Sequence, residues 1–531
     1  MASSHPNILL FITDQQRADH VGCYGNTLLK TPNIDALAAK GTRFERFYVA
    51  NPICQSNRAS LMTGRLPSLH GVRCNGAPLP KSERTFVECL REAGYQTALI
   101  GKSHLQNVTG RPAPIAPTPE DFAVDENGIP LEAQKINLRG DQYDNEQTPL
   151  WQQDHNRRVT VPYYGFDTVD VAINHGDLVT GDYKRWLHEN HPHADGLPGR
   201  ENALPDNRIS TPQAWRTRVP EELYPTAFVG KKTIEFLEEH NRNTPEKPFF
   251  IQCSFPDPHH PFTPPGKYWD MYDPAAIPLP RSFYGGQSPI TTFMRKELAE
   301  GDPNREATLP YAVTEREAQE CIALTYGMIT MIDDWVGEVL RTLDRLNLSD
   351  NTIILFTSDH GDYMGDHGLM LKGPIHLHSM LRVPFIWYDP QQNTVAATSA
   401  LGSTMDISAT LFERTGVLPY YGIQGKSLLP ALNHQTAKVR DAILIEDDRE
   451  RIYLGMSDTQ RLRTMITERY RMSLYDPLAW DELYDLREDP GEMSNLWDNP
   501  ECAGIKAELQ AQFLKLVIEH QDRTPLMVRQ A

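Results

Sequence analysis

Cysteine is scarce in this chain of 531 residues: seven, odd in number and unclustered (Cys23, Cys54, Cys74, Cys89, Cys253, Cys321, Cys502). That usage argues against a disulfide framework and a paired-cysteine zinc site, and it fits a reducing compartment. Long apolar runs are missing too. No stretch approaches the roughly 20 consecutive apolar residues that span a bilayer. The opening MASSHPNILLFITD has neither the basic flank nor the apolar length of a secretory signal. Positive charge is in deficit, with 52 Lys and Arg against 70 Asp and Glu and a net charge of −18. A duplex nucleic-acid binder needs the opposite balance, because it must neutralise phosphates. Internal repeats and low-complexity tracts are absent from the sequence as well. The expectation is a cytoplasmic protein with no membrane span and no nucleic-acid partner. Its length allows roughly two to four domains, or one large α/β unit with extensions.

What is present is an alternation of short β-rich runs with helical patterns. The runs are NILLFIT (7–13), QTALIG (96–101), FFIQCSF (249–255), TIILFTS (352–358) and VPFIWY (383–388). Each is apolar on both faces, as buried strands of a mostly parallel sheet are. Between them, Pro32 opens a helix that Gly41 stops, Thr85 precedes another that ends at Gly94, and a long amphipathic helix is predicted over 315–346. This pattern predicts a doubly wound α/β domain over 1–435. Two regions break it. Residues 107–225 are rich in Pro, Asp and Asn, and read as an excursion that walls a pocket. Residues 436–531 restart with AILIEDD, RIYLGMS and RLRTMITERYRMSLYD and close on a helix around IKAELQAQFLKLVIEH, a smaller α+β unit.

Ligands of open α/β sheets bind beyond the carboxyl ends of the strands. Asp14 and Gln15 follow the first run, and Asp359, His360, Gly361 and Asp362 follow the fourth. Two strand ends that each carry a carboxylate and a second donor can converge on one hard divalent cation. The same acids can equally cap the helices that follow them. Cys54 precedes a short helical stretch, where the field of a helix N-terminus favours an anion or a nucleophile. Arg58, one turn on, can hold such a site by charge-assisted hydrogen bonds. The alternative for Cys54 is a buried cysteine acting as a small hydrophobe.

Residues 54–65, CQSNRASLMTGR, resemble the sulfatase signature C-x-P-S-R-x-x-x-x-T-G, whose cysteine is oxidised after translation to formylglycine. The likeness continues in order through NILLFITDQQRADHVGCYGN, TPNIDALAAKGTRF, HGVRCNG (70–76), GYQTALIGKSHL (94–105), DPHHPF (257–262), SDHGDYMGDHG (358–368) and the closing ELYDLREDPGEMSNL (482–496). The chain therefore resembles the sulfatase branch of the alkaline phosphatase superfamily, on the side of arylsulfatases, choline sulfatases and phosphonate monoester hydrolases. The resemblance implies an alkaline-phosphatase-like α/β sandwich with a large, mostly parallel central sheet and a smaller C-terminal α+β subdomain. It also implies one divalent metal among Asp14, Gln15, Asp359, His360 and the modified Cys54. Calcium is the expected ion. Gln15 and His360 replace an Asp and an Asn of many sulfatases, and the lost negative charge opens manganese as the alternative.

By the same resemblance Arg58 supports the nucleophile, and Lys102 and Lys372 neutralise the non-bridging oxygens of the substrate. His259, assisted by Lys372, protonates the leaving oxygen, and His104 takes the proton that expels sulfate. Asn75 matches a substrate contact of the phosphonate hydrolases. Only the aligned motif prefers His259 over its neighbour His260. His367, His376 and His378 read as structural or pocket-lining, Asp362 and Asp366 as cap or network residues, and the closing motif as interdomain packing. Ser56 and Asn57 depart from the modification signature, which normally has Pro or Ala and then a small residue there. The implied activity is hydrolysis of a small-molecule sulfate ester after maturation by a formylglycine-generating enzyme, in a homo-oligomer. Two other readings stay open: a phosphonate monoester or phosphate diester hydrolase with the same machinery, and a silent binder. Lys102 and His104 speak for the sulfatase, whereas Gln15, Asn75 and His360 look like the phosphonate hydrolases.

Overall fold

The computed structural model describes residues 5–114, 120–126, 128–133, 137–301, 303–306, 308–392, 394–452, 456 and 458–529. Its centre is a nine-stranded sheet of β1 (Asn7–Thr13), β2 (Thr42–Phe44), β3 (Gln96–Gly101), β4 (Thr168–Ile173), β5 (Thr180–Gly181), β6 (Phe249–Ser254), β7 (Thr352–Ser358), β8 (Phe385–Tyr388) and β9 (Ala397–Thr398). The spatial order is β9-β2-β8-β7-β1-β6-β3-β4-β5. Strands β7, β1, β6, β3 and β4 run parallel, so their carboxyl ends open on one edge. Both faces of β1 are covered. Ile8, Leu10 and Ile12 join one apolar layer, while Leu9 and Phe11 join the other. This two-sided burial is why the runs read as continuous rather than alternating.

Helices α1 (Pro32–Lys40), α2 (Cys54–Thr63), α3 (Phe86–Glu92), α4 (Asp182–Asn190), α5 (Pro225–Asn243) and α6 (Glu315–Arg345) cover the two faces. α1, α5 and α6 bury Ile34, Phe228, Leu237 and Ile332 on one side; α2 and α3 bury Leu61, Phe86 and Leu90 on the other. Capping boxes start α3 (Thr85 with Glu88) and α6 (Thr314 with Glu317), which fixes where these helices begin.

Three details differ from the sequence reading. The run over 383–388 is a strand, but it lies antiparallel to both β7 and β2. Burial on both faces reports that a strand is central and says nothing of its direction. Residues 107–225 are not only an excursion: they supply β4, β5 and α4, which extend the sheet to its edge. The half-buried Thr168, Val169 and Asp170 at the start of β4 hide the strand pattern. Trp151, Tyr163 and Tyr164 of this region are core residues rather than pocket lining. The expected strand over 451–457 falls partly on 453–455 and 457, outside the described residues, and the described remainder is irregular.

After residue 436 comes a second sheet, β10 (Ala442–Asp448), β11 (Arg461–Thr467), β12 (Tyr470–Asp476) and β13 (Glu482–Asp485), antiparallel throughout. Helix α7 (Ala503–Glu519) lays Leu509, Phe513 and Leu516 against Leu444, Met465 and Met472, and the same cluster takes in Ala50 and Leu66 on either side of α2. No described helix is long and apolar enough to cross a membrane.

Candidate active site

The ends of β1 and β7 are tied to each other. Asp359 N donates to Thr13 O (3.1 Å), and Gln15 N donates to Asp359 Oδ1 (3.1 Å). Gln15, His104 and Leu371 all sit in the left-handed region (φ 66°, 57° and 67°), where side-chain-bearing residues are uncommon. Such strain is held only where surrounding contacts over-determine it, and here it gathers beside the polar strand ends. Gly101, with φ +102°, closes β3. A Cβ there would lie 1.9 Å from Ser254 O, so only glycine lets β3 approach β6 and bring Lys102 to the edge.

Helix α2 is polar in composition, yet all ten of its residues are buried. Its side chains find partners across the fold. Asn57 accepts from Ala50 N (2.9 Å) and Thr404 Oγ1 (2.8 Å) and donates to Asp359 O (2.5 Å). Arg58 donates to Asp359 Oδ2 (2.7 Å), Lys102 O (3.0 Å) and Ser254 Oγ (2.9 Å). One helix thus locks the ends of β7, β3 and β6 together. Asn75 Oδ1 accepts from Gln55 N (3.4 Å) in the first turn of α2.

At the head of α2, Cys54 Sγ lies 2.9 Å from His360 Nε2, 3.1 Å from Lys372 Nζ and 3.7 Å from Asp14 Oδ1. Asp14, Cys54, Asp359 and His360 each present one ligand atom, all within 4.8 Å of one another. His360 Nδ1 faces Gly361 O at 2.8 Å. A carbonyl only accepts, so Nδ1 carries a proton, and in the neutral ring this leaves the Nε2 lone pair pointing into the cluster, the form a metal ligand needs. Two carboxylates, an imidazole lone pair and the Gln15 amide oxygen beside them form a donor set that fits one divalent cation.

Burial disfavours charge on Asp14, but Lys102, His259 and His175 outweigh it and hold the carboxyl well below its usual range. Burial and Asp14 oppose ionisation of Cys54, yet Lys102, Lys372 and His360 bring its thiol below the ordinary value. Lys372 is also within 2.9 Å of Gln15 Oε1 and 3.0 Å of His259 Nε2. Burial alone would lower it; Cys54 and Asp14 reverse that and raise it. His259 Nδ1 meets His260 O at 2.6 Å, so its Nε2 accepts from Lys372. Burial, with His175, His260 and Lys372 beside it, keeps this ring neutral. His260 instead reaches Gln15 Nε2 (3.3 Å), which separates the roles of the two adjacent histidines.

Two residues of this site, His175 and Glu146, carry no motif of their own. His175, just beyond β4, stacks on His259 with ring centroids 3.5 Å apart and lies 2.6 Å from Lys102 Nζ. Asp14, His175 and His259 form a second cluster of close ligand atoms. Glu146 is buried and accepts from His104 N (2.8 Å) and Leu105 N (3.1 Å), fixing the strained backbone under the His104 ring. Burial drives His104 well below its usual pKa, and its Nδ1 has no hydrogen-bond partner among the described residues. Asp362 accepts from Gln15 Nε2 and Met364 N, a network role. The only available signal was indirect: His175 and Glu146 lie in the polar 107–225 region.

A family profile described as Sulfatase matches residues 6–417, and one described as N-sulphoglucosamine sulphohydrolase, C-terminal, matches residues 365–519. An arylsulfatase of Clostridium perfringens is 28% identical over 502 residues, covering 93% of this chain and 91% of its own. A choline-sulfatase of Rhizobium meliloti is 27% identical over 524 residues, covering 96% and 86%. The crystal structure of a phosphonate monoester hydrolase of Agrobacterium radiobacter superposes with a TM-score of 0.73 at 25% identity, covering 98% of this chain and 97% of that one.

Proposed function

The chain belongs to the sulfatase family, and from that premise we propose that it is a sulfuric ester hydrolase whose nucleophile is made from Cys54. The observation that carries the reading is the setting of Cys54: at the head of a helix, inside a cation-binding donor set, with Lys372 3.1 Å from its sulfur. Converted to formylglycine by a formylglycine-generating enzyme, Cys54 would supply a hydroxyl to attack sulfur. Asp14, Gln15, Asp359 and His360 would hold one divalent cation, calcium or else manganese, which when bound supplies Lewis acidity beside that hydroxyl.

The remaining roles fall to the chain's own groups. Lys102 and Lys372 bring positive charge to the non-bridging oxygens. Lys372 and His259 share a proton over 3.0 Å and hold it for the departing alcohol. His104, neutral and with Nδ1 unpaired among the described residues, is poised to accept a proton when sulfate leaves. Arg58 braces the two carboxylates, and Asn75 orients substrate near the first turn of α2.

Gln15, Asn75 and His360 favour a second reading, a phosphonate monoester or phosphate diester hydrolase on the same machinery, and the phosphonate hydrolase fold likeness adds weight to it. Two measurements test the pair. The mass of the Cys54 peptide, from protein expressed with a formylglycine-generating enzyme, should show the aldehyde or its hydrate; thiol alone would remove the nucleophile from both readings. The ratio of kcat/KM for an aryl sulfate and a phenyl phosphonate should favour the sulfate, and the reverse order would install the second reading.

A further inference from the structure

Lys372 has no regular element beneath it. It stands in the irregular stretch between the short strand Leu369–Met370 and the helical turn His378–Leu381. A lysine carries a long, flexible stem, so where its ammonium sits depends on how its backbone is fixed. Nearby Tyr363 holds the stretch on both sides of the lysine, its N–H donating to Leu371 O (2.8 Å) and its hydroxyl meeting Ile375 N and Ile375 O (2.9 Å each), and the further anchors come from the C-terminal region. His376 is gripped at both ring nitrogens, by Thr464 Oγ1 of β11 (2.7 Å) and by Asp447 Oδ2 of β10 (3.1 Å). Arg449, one residue past β10, pairs with Asp447 (2.5 Å) and donates from Nη2 to the carbonyl of Gly373, next to the lysine. Further along, His378 N donates to Glu492 (2.6 Å), which Arg471 of β12 holds. Asp447, Arg449, His376 and Thr464 are all at most 5% exposed.

Resting on the role proposed for Lys372, we propose that Asp447 and Arg449 are positioning residues for that lysine. They are the means by which the C-terminal sheet sets the geometry of the catalytic site. The alternative is a buried ion pair that only stabilises the fold, and buried pairs by themselves are weak evidence for anything more. What separates the two is the target: Arg449 does not stop at Asp447 but spends a guanidinium donor on the backbone beside the lysine.

The test is a double-mutant cycle on the metal-loaded, matured enzyme, with an aryl sulfate as probe. Arg449→Gln should lower kcat roughly 10- to 100-fold, the scale of a misplaced catalytic group, at unchanged metal content. In a Lys372→Ala background the same change should cost almost nothing further. Equal fold-losses in both backgrounds would overturn the positioning role and leave the functional reading standing. Full activity in Lys372→Ala alone would instead remove the lysine from the machinery, and with it both the reading and this proposal. Should Arg449→Gln not accumulate as folded protein, Arg449→Lys keeps a cation beside Asp447 while withdrawing the fork from Gly373, and the same cycle decides.

Discussion

Arg58 Nε donates to Asp359 Oδ2 across 2.7 Å, and neither side chain is more than 2% exposed. Burial would strip the guanidinium of charge, but Asp359 and Asp14 more than reverse this and raise its pKa. Arg58 is therefore the fixed counter-charge of two buried carboxylates that share the edge of β1 and β7. Removing it strands them. Arg58→Ala should lower stability by about 3–5 kcal/mol, while Arg58→Lys, which keeps charge but loses the fork to Lys102 O and Ser254 Oγ, should fall in between. Thermal unfolding of the three proteins in the presence of chelator decides it, and an Arg58→Ala protein that melts with the parent would remove the arginine from this role.

Chelation should act on the fold as well as on the chemistry. The donor set of Asp14, Asp359 and His360 exists only in the native chain, so a bound cation stabilises that state by mass action. At a hundredfold excess over Kd the gain is about 2.7 kcal/mol. Stripped protein should melt at lower temperature and lose hydrolysis, and calcium or manganese should restore both. A melting curve indifferent to chelator and to added ion would count against the cation site.

Glu146 gives a sharper probe of the histidine it supports. Its carboxylate takes the N–H groups of His104 and Leu105, and Tyr163 donates to it as well. In Glu146→Gln one acceptor oxygen becomes an amide donor facing another donor, which should cost about 1–3 kcal/mol. The expected kinetic signature is a fall in kcat with little change in KM, read from aryl sulfate turnover. A change confined to KM would mean that Glu146 shapes substrate binding instead.

His70 predicts the acid side of the stability profile. Its Nδ1 accepts from Val72 N (3.2 Å) while Nε2 faces Ser60 Oγ (2.9 Å), and burial pushes its pKa down to about 3. The unfolded chain binds a proton below about pH 6.5, whereas the folded chain refuses it until about 3. Its contribution is thus complete above the unfolded value and lost as pH falls through that window, by at most about 1.4 kcal/mol per pH unit. Urea unfolding of the parent and of His70→Gln should show the parent's advantage shrinking between about pH 7 and about pH 4. A constant gap would mean that the ring titrates alike in both states.

The sequence by itself determined the sheet strands apolar on both faces, the helix start after Thr85, the long amphipathic helix from about Glu315, the acids at the ends of β1 and β7, and the cysteine heading a short helix. These are local facts, written in periodicity, capping residues and ordered motifs. Tertiary structure alone decided the rest. The direction of β8 follows from chain path, which two-sided burial does not encode. The split between His259 facing Lys372 and His260 facing Gln15 depends on which way each ring turns. Asn57 reads in sequence as a departure from a signature, yet it bridges Ala50, Thr404 and Asp359. His175 and Glu146 lie in a region without clear periodicity and matter because β4 and its flanking turns carry them to the edge where β1, β3, β6 and β7 end. Lys372 was visible as a residue, but its fixed place was not, since the Arg449 contact to Gly373 and the grip on His376 come from a region that starts some seventy residues later. Pattern reports what a segment buries; only the packed chain decides what that segment meets.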